Sequence, residues 1–276
     1  MNSNKSPHTV IIGKGLLGSE LYKNLVSKDI QVQNISSIEY DDLVIPEKTE
    51  CIIFVAQSKD YRSETMTKDL LFVNSVLPSQ VIIEAYKKGV KRIAFCSTGS
   101  VYTPSNKPHK EDEIIIPSIS FYEASKKATE LLLFPWKNYF ERLTIYRPFF
   151  IYGPHQTDEK LIARIISSVK NNSTVKLGQG TGPIINPIHV CDAAEFIIKT
   201  TFNKKGFDIY NLAGNEIINL KEITEIISKI LNKDPLVEIT NDSINIILGS
   251  VDKINLENFV FTYDLKNGLT NTIFPS

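Results

Sequence analysis

Apolar residues recur along this chain in short unbroken runs separated by longer stretches at helical spacing. Val10 to Ile12 and Cys51 to Ala56 are such runs, the second with the length of a strand buried on both faces of a parallel sheet, and Lys91 to Cys96 is another buried strand. Ile30 to Ile35 alternates apolar with polar residues and predicts a second strand; Arg142 to Tyr146 and Phe207 to Leu212 predict two more. Between the runs, Leu17, Leu21 and Leu25 share one helical face. Thr67 to Lys88 reads as a long helix, broken or kinked near Pro78 and closed by Gly89. A further helix is expected from about Phe121 to Tyr139, and Asn219 to Leu231 is amphipathic. Strand and helix in alternation imply right-handed crossovers, so the expected fold class is α/β: a Rossmann-type doubly wound parallel sheet of about seven strands. Thr103 to Ser120, rich in Pro, Ser, Lys and acidic residues, is expected to be a surface loop.

Charge changes this picture only by exclusion. Lys plus Arg and Asp plus Glu number 31 each, so no net field attracts nucleic acid or an acidic membrane surface. Cys51, Cys96 and Cys191 lie scattered among apolar residues, as buried reduced thiols do in a cytoplasmic protein. Met1 to Pro7 is polar, and no apolar run approaches the ~18 residues of a membrane span, so a cytoplasmic location is expected.

The first run leads directly into Gly13-Lys14-Gly15-Leu16-Leu17-Gly18. A strand, a glycine turn and a helix in that order make a dinucleotide site. Gly13 permits the tight turn, Gly15 lets the backbone approach a pyrophosphate, and Gly18 lets helix and strand pack closely, with the anion at the helix N-terminus. Where NAD-specific folds place an acid near the end of the second strand, Asn34, Ser36 and Ser37 stand here. Glu39 and Asp41, slightly farther on, are either that acid or the solvated edge of a loop. A missing acid removes repulsion against a 2'-phosphate, which tilts the expected cofactor from NAD to NADP.

Tyr122 and Lys126 stand four residues apart, on one face of the expected helix. A fixed cation beside a phenol favours the phenolate and is expected to pull the Tyr122 pKa down from about 10 towards neutrality. Ser97 and Thr98 follow the Lys91 to Cys96 strand, at the carboxyl end where open α/β sheets bind ligands. No metal site is expected.

Taken together, these stretches resemble the extended short-chain dehydrogenase/reductase family, the NAD-dependent epimerases and dehydratases, and most closely its nucleotide-sugar 4-ketoreductases and 4-epimerases. The resemblance rests on the glycine turn, Ser97-Thr98-Gly99-Ser100-Val101-Tyr102, Tyr122-x-x-Ser125-Lys126, Arg147-Pro148-Phe149-Phe150-Ile151-Tyr152-Gly153-Pro154 and His189-Val190-Cys191-Asp192-Ala193-Ala194. It implies that Tyr122 exchanges a proton with the substrate oxygen while nicotinamide exchanges hydride with the carbon. By the same resemblance Lys126 holds the nicotinamide ribose and Thr98 bonds the substrate oxygen. Gly13, Gly15, Leu16, Leu17, Gly18, Asn34, Ser36, Ala56, Gln57, Asn74 and Pro148 would complete the cofactor site. Thr98, Gly99, Ser100, Phe150 and Asn186 would line the substrate. Asp192 is expected to cap a helix beginning near Ala193, with His189 structural and Arg147 an anchor at the edge of the core.

Dehydratases of this family carry an Asp-Glu pair directly after the position of Thr98, where this chain has Gly99-Ser100, so water elimination is not expected. The bifunctional epimerase/reductase that makes GDP-fucose has Cys where Ser100 stands, which disfavours epimerisation beside the ketone. What remains is NAD(P)H-dependent reduction of a 4-keto-6-deoxy nucleotide sugar, on a route to a bacterial-type surface polysaccharide such as O-antigen. An NAD-dependent 4-epimerase is the runner-up, and a catalytically silent NAD(P)-binding regulator is the reading from another class. Two positions depart from the family pattern: Phe150 replaces a frequent Asn, and Ile185-Asn186-Pro187 replaces a stretch with a frequent Arg. Either the nucleotide is held differently, through Lys160, Arg164 or Asn186, or the substrate is another ketone. The expected division is 1–153 plus 186–214 for the dinucleotide domain and 154–185 plus 215–276 for a substrate lobe. A homodimer through Asp69 to Lys88 and Phe121 to Tyr139 follows from the resemblance.

Overall fold

The computed structural model describes residues 8–36, 43–103, 105–115 and 120–275; Ser37, Glu39 and Asp41 lie outside them. In chain order the first elements are β1 (His8–Ile12), α1 (Leu16–Ser27), β2 (Val32–Ile35), β3 (Thr49–Phe54), α2 (Lys68–Leu71), α3 (Leu77–Lys87), β4 (Arg92–Cys96), α4 (Phe121–Leu133) and β5 (Arg142–Pro148). There follow β6 (Ile151–Tyr152), α5 (Leu161–Lys170), β7 (Thr174–Gly178), β8 (Ile184–Ile185), β9 (Ile188–His189), α6 (Val190–Phe202) and β10 (Gly206–Leu212). The chain closes with β11 (Ile218–Asn219), α7 (Leu220–Leu231), β12 (Leu236–Thr240), β13 (Ile246–Ile247), α8 (Asp252–Leu256) and α9 (Leu265–Ile273).

The main sheet has six strands in the order β10, β5, β4, β3, β1, β2, rather than the seven expected. Its pairs from β2 to β5 are parallel, with Val10 beside Ile52, Ile52 beside Ile93 and Ile93 beside Leu143. That row shows why the apolar runs are unbroken. Val10, Ile52, Ile93 and Leu143 bury one face against Leu77, Val81 and Ala85 of α3, while Ile11, Ile53 and Ala94 are equally buried on the other. Each such side chain contributes about 1.5–3 kcal/mol when fully removed from water.

Contacts divide the chain into two compact units. One holds residues 1–103, 114–147 and 194–210; the other holds 104–113, 148–193 and 211–276. Residues 104–113, 148–153, 186–193 and 211–214, expected with the sheet, thus fall in the second unit. That unit pairs β7 with β12 in parallel and sets β8 between β11 and β13; Ile162, Ile165 and Val169 of α5 share a core with Ile223 and Ile227 of α7. Asn219 caps α7 in a reciprocal box with Glu222, as the amphipathic pattern there anticipates.

Three segments differ from expectation. Within 104–113, His109 and Glu111 are buried: Glu111 accepts from the Asn211 amide at 2.9 Å, and the His109 backbone pairs with the segment around Gly249. Polar composition therefore conceals a tethered segment rather than a solvated loop. The long helix from Thr67 is interrupted at Phe72–Val76 by a π turn, ahead of Pro78. Pro78 has no amide hydrogen to offer the carbonyl four residues back, that of Asn74, and the Thr129 hydroxyl bonds that carbonyl instead, at 2.5 Å. Likewise α4 stops at Leu133, and Phe134–Asn138 tightens into a 3₁₀ turn carrying Pro135.

Candidate active site

The glycine turn is shaped by its neighbours at two of its three positions. Gly13 adopts φ +120°, and a Cβ there would stand 2.8 Å from the Ala56 amide nitrogen. A Cβ on Gly18 would fall 1.8 Å from the Gly13 carbonyl oxygen. Gly15 is different. Its φ of −73° suits any residue, it is exposed, and a Cβ would meet no protein atom within 4 Å. Nothing in the chain requires glycine at 15, whereas a pyrophosphate lying against the backbone does. The first turn of α1, which includes Leu16 and Leu17, has no side-chain cap and no acidic residue, so its amides face that position unopposed. At the end of β2 the Oδ1 of Asn34 is buried with no hydrogen-bond partner among the described residues, and half-buried Ser36 follows. These residues fit a dinucleotide.

The chemistry-bearing side chains gather at the carboxyl ends of β3 and β4 and on α4. Ser120 caps α4 through the Glu123 amide, which starts the helix so that Tyr122 and Lys126 share a face. The Tyr122 hydroxyl bonds Thr98 and accepts from Gln57 Nε2 at 3.2 Å. Thr98, buried just beyond β4, also accepts from the Ser100 amide at 3.2 Å, which turns Gly99–Val101 into a short 3₁₀ helix. Lys126 is fully enclosed and donates to the carbonyls of Cys96 at 3.1 Å and Ala56 at 3.4 Å. Since Ala56 is also what a side chain at 13 would strike, the glycine turn, Lys126 and Tyr122 belong to one neighbourhood.

The expected activation of Tyr122 is reversed. Burial pushes its pKa up to about 12, outweighing the opposing hydrogen bonds from Thr98 and Gln57, and nearby Tyr61 pushes the same way. Lys126 does not figure among the groups that lower it. Burial instead draws Lys126 down to about 8, against the opposing pull of Cys96 and Glu130. The site therefore presents a protonated phenol, an acid, beside a cation held at a fixed place.

Asn74 lies behind these groups. Its Oδ1 accepts from the Ser58 amide at 3.3 Å and its Nδ2 donates to Ser125 Oγ at 3.0 Å, so it ties the loop after β3 to the helix of Tyr122. Ser125 in turn donates to the Tyr122 carbonyl at 2.7 Å. Arg147 is buried in a two-pronged pair with Glu130, at 2.6 and 3.1 Å, and donates to Tyr102 at 2.6 Å. Ser97, expected at this carboxyl end, has a buried hydroxyl with no partner among the described residues; sequence reasoning missed Tyr61, whose ring stands edge-on to Tyr122 at 6.2 Å. The available signal for Tyr61 is its place on the segment after β3.

Pro148, Phe150 and Asn186 belong to the second unit. Pro148 ends β5, Phe150 holds φ +51°, and Asn186 is buried with its amide bonded to Gly214 and Gly249 backbone. His189 packs between Tyr152 and Tyr263, and burial lowers its pKa to about 4. Asp192 does not cap a helix at Ala193: α6 already begins at Val190, and the carboxylate accepts from the amides of Thr262 and Tyr263 at 2.8 and 3.2 Å. Cys51 and Cys96 are buried free thiols, and burial raises both to about 12. No helix among the described residues is long and apolar enough to cross a membrane.

A family model described as NAD dependent epimerase/dehydratase matches residues 10–213. This chain belongs to that family. Among family members of known function, it is 30% identical over 148 residues to a UDP-glucuronate 4-epimerase of Thermodesulfobacterium geofontis, covering 52% of this chain and 45% of that one. It is 27% identical over 157 residues to the dTDP-4-dehydro-6-deoxyglucose reductase of Escherichia coli, covering 55% and 49%. The chain spans about half the length of the first curated relatives it matches. Of solved structures, a UDP-N-acetylglucosamine 4-epimerase from Methanobrevibacter ruminantium M1 superposes with a TM-score of 0.85 at 21% identity, covering 98% of this chain and 97% of that one. MoeE5 in complex with UDP-glucose and NAD superposes at 0.83 and 19% identity, covering 96% and 97%. These likenesses establish the α/β fold with its parallel six-stranded sheet.

Proposed function

We propose that this protein reduces a 4-keto-6-deoxy nucleotide sugar, with hydride from a reduced nicotinamide dinucleotide and the proton from Tyr122. The observation that carries this reading is the Tyr122 hydroxyl, held between Thr98 and Gln57 and kept protonated by burial to about 12. Reduction of a ketone requires an acid at the oxygen, and a phenol in this state supplies one. When bound, the dinucleotide supplies the hydride. Lys126 fixes the ribose with its ammonium, Thr98 orients the substrate oxygen, and Gly15, in the turn that Gly13 and Gly18 allow, admits the pyrophosphate. After Thr98 come Gly99 and Ser100, so no carboxylate directly follows it to eliminate water.

The dinucleotide we favour is NAD. The solved neighbours hold NAD. The tilt towards NADP finds no such support. A second reading, 4-epimerisation, is favoured by the relatives and neighbours that are themselves 4-epimerases. A silent regulator is disfavoured because Thr98, Tyr122 and Lys126 are all present and assembled. We further place the reaction in the cytoplasm. A homodimer is expected through exposed Val76, Ile83 and Tyr86 next to and on α3 and Phe121, Leu131 and Leu132 on α4.

The test is turnover. Purified protein given a 4-keto-6-deoxy nucleotide sugar should oxidise NADH stoichiometrically, followed by absorbance. Interconversion of 4-epimers with dinucleotide retained through purification would select the second reading, and dinucleotide binding with neither reaction would select the regulator. Light scattering in solution checks the dimer.

A further inference from the structure

Tyr122 has to release a proton from surroundings that hold it tightly. The groups that favour its ionised form are Thr98 and Gln57; Lys126, on the same helix, is not among them and donates to the carbonyls of Cys96 and Ala56. The other titratable groups facing the phenol, Tyr61 on the segment after β3 and Cys96 at the end of β4, oppose ionisation. Proton release is therefore eased by one hydroxyl and one amide.

These two donors differ. Thr98 is buried, already accepts from the Ser100 amide at 3.2 Å, and in the reading above turns its hydroxyl to the substrate oxygen. Gln57 is exposed, and its Nε2 donates to the Tyr122 oxygen at 3.2 Å. An amide N–H does not titrate, so this donor is in place before and after the proton moves. The backbone that carries it is anchored at the next residue: the Ser58 amide donates to Asn74 Oδ1 at 3.3 Å, and the Ser58 hydroxyl donates to Asp69. Asn74 also donates to Ser125, whose hydroxyl holds the Tyr122 carbonyl. Asn74 thus ties the segment of the donor to the helix of the acceptor and fixes their separation.

We infer that Gln57 is a further catalytic residue, whose side-chain amide stabilises the negative charge that appears on the Tyr122 oxygen when its proton leaves. In the reduction proposed above, the ketone carbon takes hydride from the reduced dinucleotide, the carbonyl π pair moves to the substrate oxygen, and that oxygen takes the Tyr122 proton. The O–H bond of Tyr122 breaks with its electron pair left on the phenol oxygen, and solvent later returns a proton. A hydrogen bond to that oxygen is stronger when the oxygen is ionised than when it is neutral, so the Gln57 donor gains strength as the transition state is approached. The inference rests on Tyr122 acting as the acid in that reading, and adds the group that makes the acid usable.

The test includes a readout that needs no turnover. A fluorinated tyrosine at position 122, more acidic than tyrosine, brings ionisation into a pH range that its fluorine resonance can follow with no dinucleotide present. Gln57→Leu should raise that ionisation pH by about one pH unit and, with the natural tyrosine restored, lower kcat for ketone reduction at saturating NADH by about tenfold. Gln57→Glu sets a carboxylate, which only accepts, against the phenol; its kcat should fall below that of Gln57→Leu near neutral pH and recover as the pH falls and the carboxyl gains a proton to donate. A lower kcat in Gln57→Leu without a change in ionisation pH would overturn the inference, as would a raised ionisation pH with wild-type kcat, or no change in either. If wild type reduces no 4-keto sugar while the ionisation pH still rises in Gln57→Leu, the reductase reading fails and the action of Gln57 on the phenol stands.

Discussion

The ammonium of Lys126 donates to the carbonyl of Ala56, and the amide of that same Ala56 is what forbids a side chain at position 13. One residue of the β3 terminus thus joins the dinucleotide turn to the catalytic helix. The active-site geometry is set by main-chain atoms, which substitutions elsewhere displace little.

Tyr122→Phe removes the acid and keeps the ring against Tyr61. The rate should fall by about 100- to 10,000-fold while the dissociation constant for NADH moves little. Steady-state kinetics beside a fluorescence titration of NADH separates the two. Turnover close to wild type would remove Tyr122 from the mechanism.

Lys126 gives the site its pH dependence. Burial lowers its pKa to about 8, so the ammonium prevails below that pH and is lost above it, whereas Tyr122 keeps its proton up to about 12. NADH affinity should accordingly be flat on the acid side and weaken as the pH rises through about 8, with no second change near neutrality. A titration series across about pH 6 to pH 10 reads this directly, since the unperturbed lysine would not titrate until about 10.4.

The three turn glycines should separate stability from binding. Gly18→Ala forces a methyl group into the Gly13 carbonyl and is expected to cost about 1–3 kcal/mol, seen as a lower melting temperature. Gly15→Ala meets open space, so the melting temperature should hold while dinucleotide affinity falls. Equal affinities for Gly15→Ala and wild type would mean that no phosphate lies there.

Glu130 and Arg147 form a pair almost closed to water, with side chains 6% and 3% exposed. Glu130→Gln leaves a buried guanidinium without its countercharge and should destabilise the protein by about 3–5 kcal/mol in urea denaturation. Replacing both, Glu130→Leu with Arg147→Met, should recover much of that loss, because an apolar pair of similar volume incurs no charge burial.

Local spacing made part of this site readable from the sequence. The glycine turn and the Tyr122 to Lys126 interval depend on residues within one strand-turn-helix or one helical turn, and both are found on the elements expected. Tertiary placement was not readable. The burial that raises the Tyr122 pKa comes from elements distant in sequence, so helical spacing alone suggests an acidification by Lys126 that the fold does not deliver. Tyr61 carries no periodic signal, and only folding sets it against Tyr122. His109 and Glu111 look like solvated loop residues because composition does not disclose which backbone amides need a partner. The helix break was legible as to cause, Pro78, but its site was not, since a missing amide hydrogen acts on the turn before it.

The π turn at Phe72–Val76 has an evolutionary corollary. It accommodates one residue more than a regular turn would, so the faces of α2 and α3 are out of phase by that residue. A single-residue deletion within the turn would restore a smooth helix and, in doing so, swing Asn74 away from Ser125 and loosen the footing of Tyr122. A shorter lineage of this chain could keep its fold and lose its chemistry by that one event, with every motif residue still in the sequence.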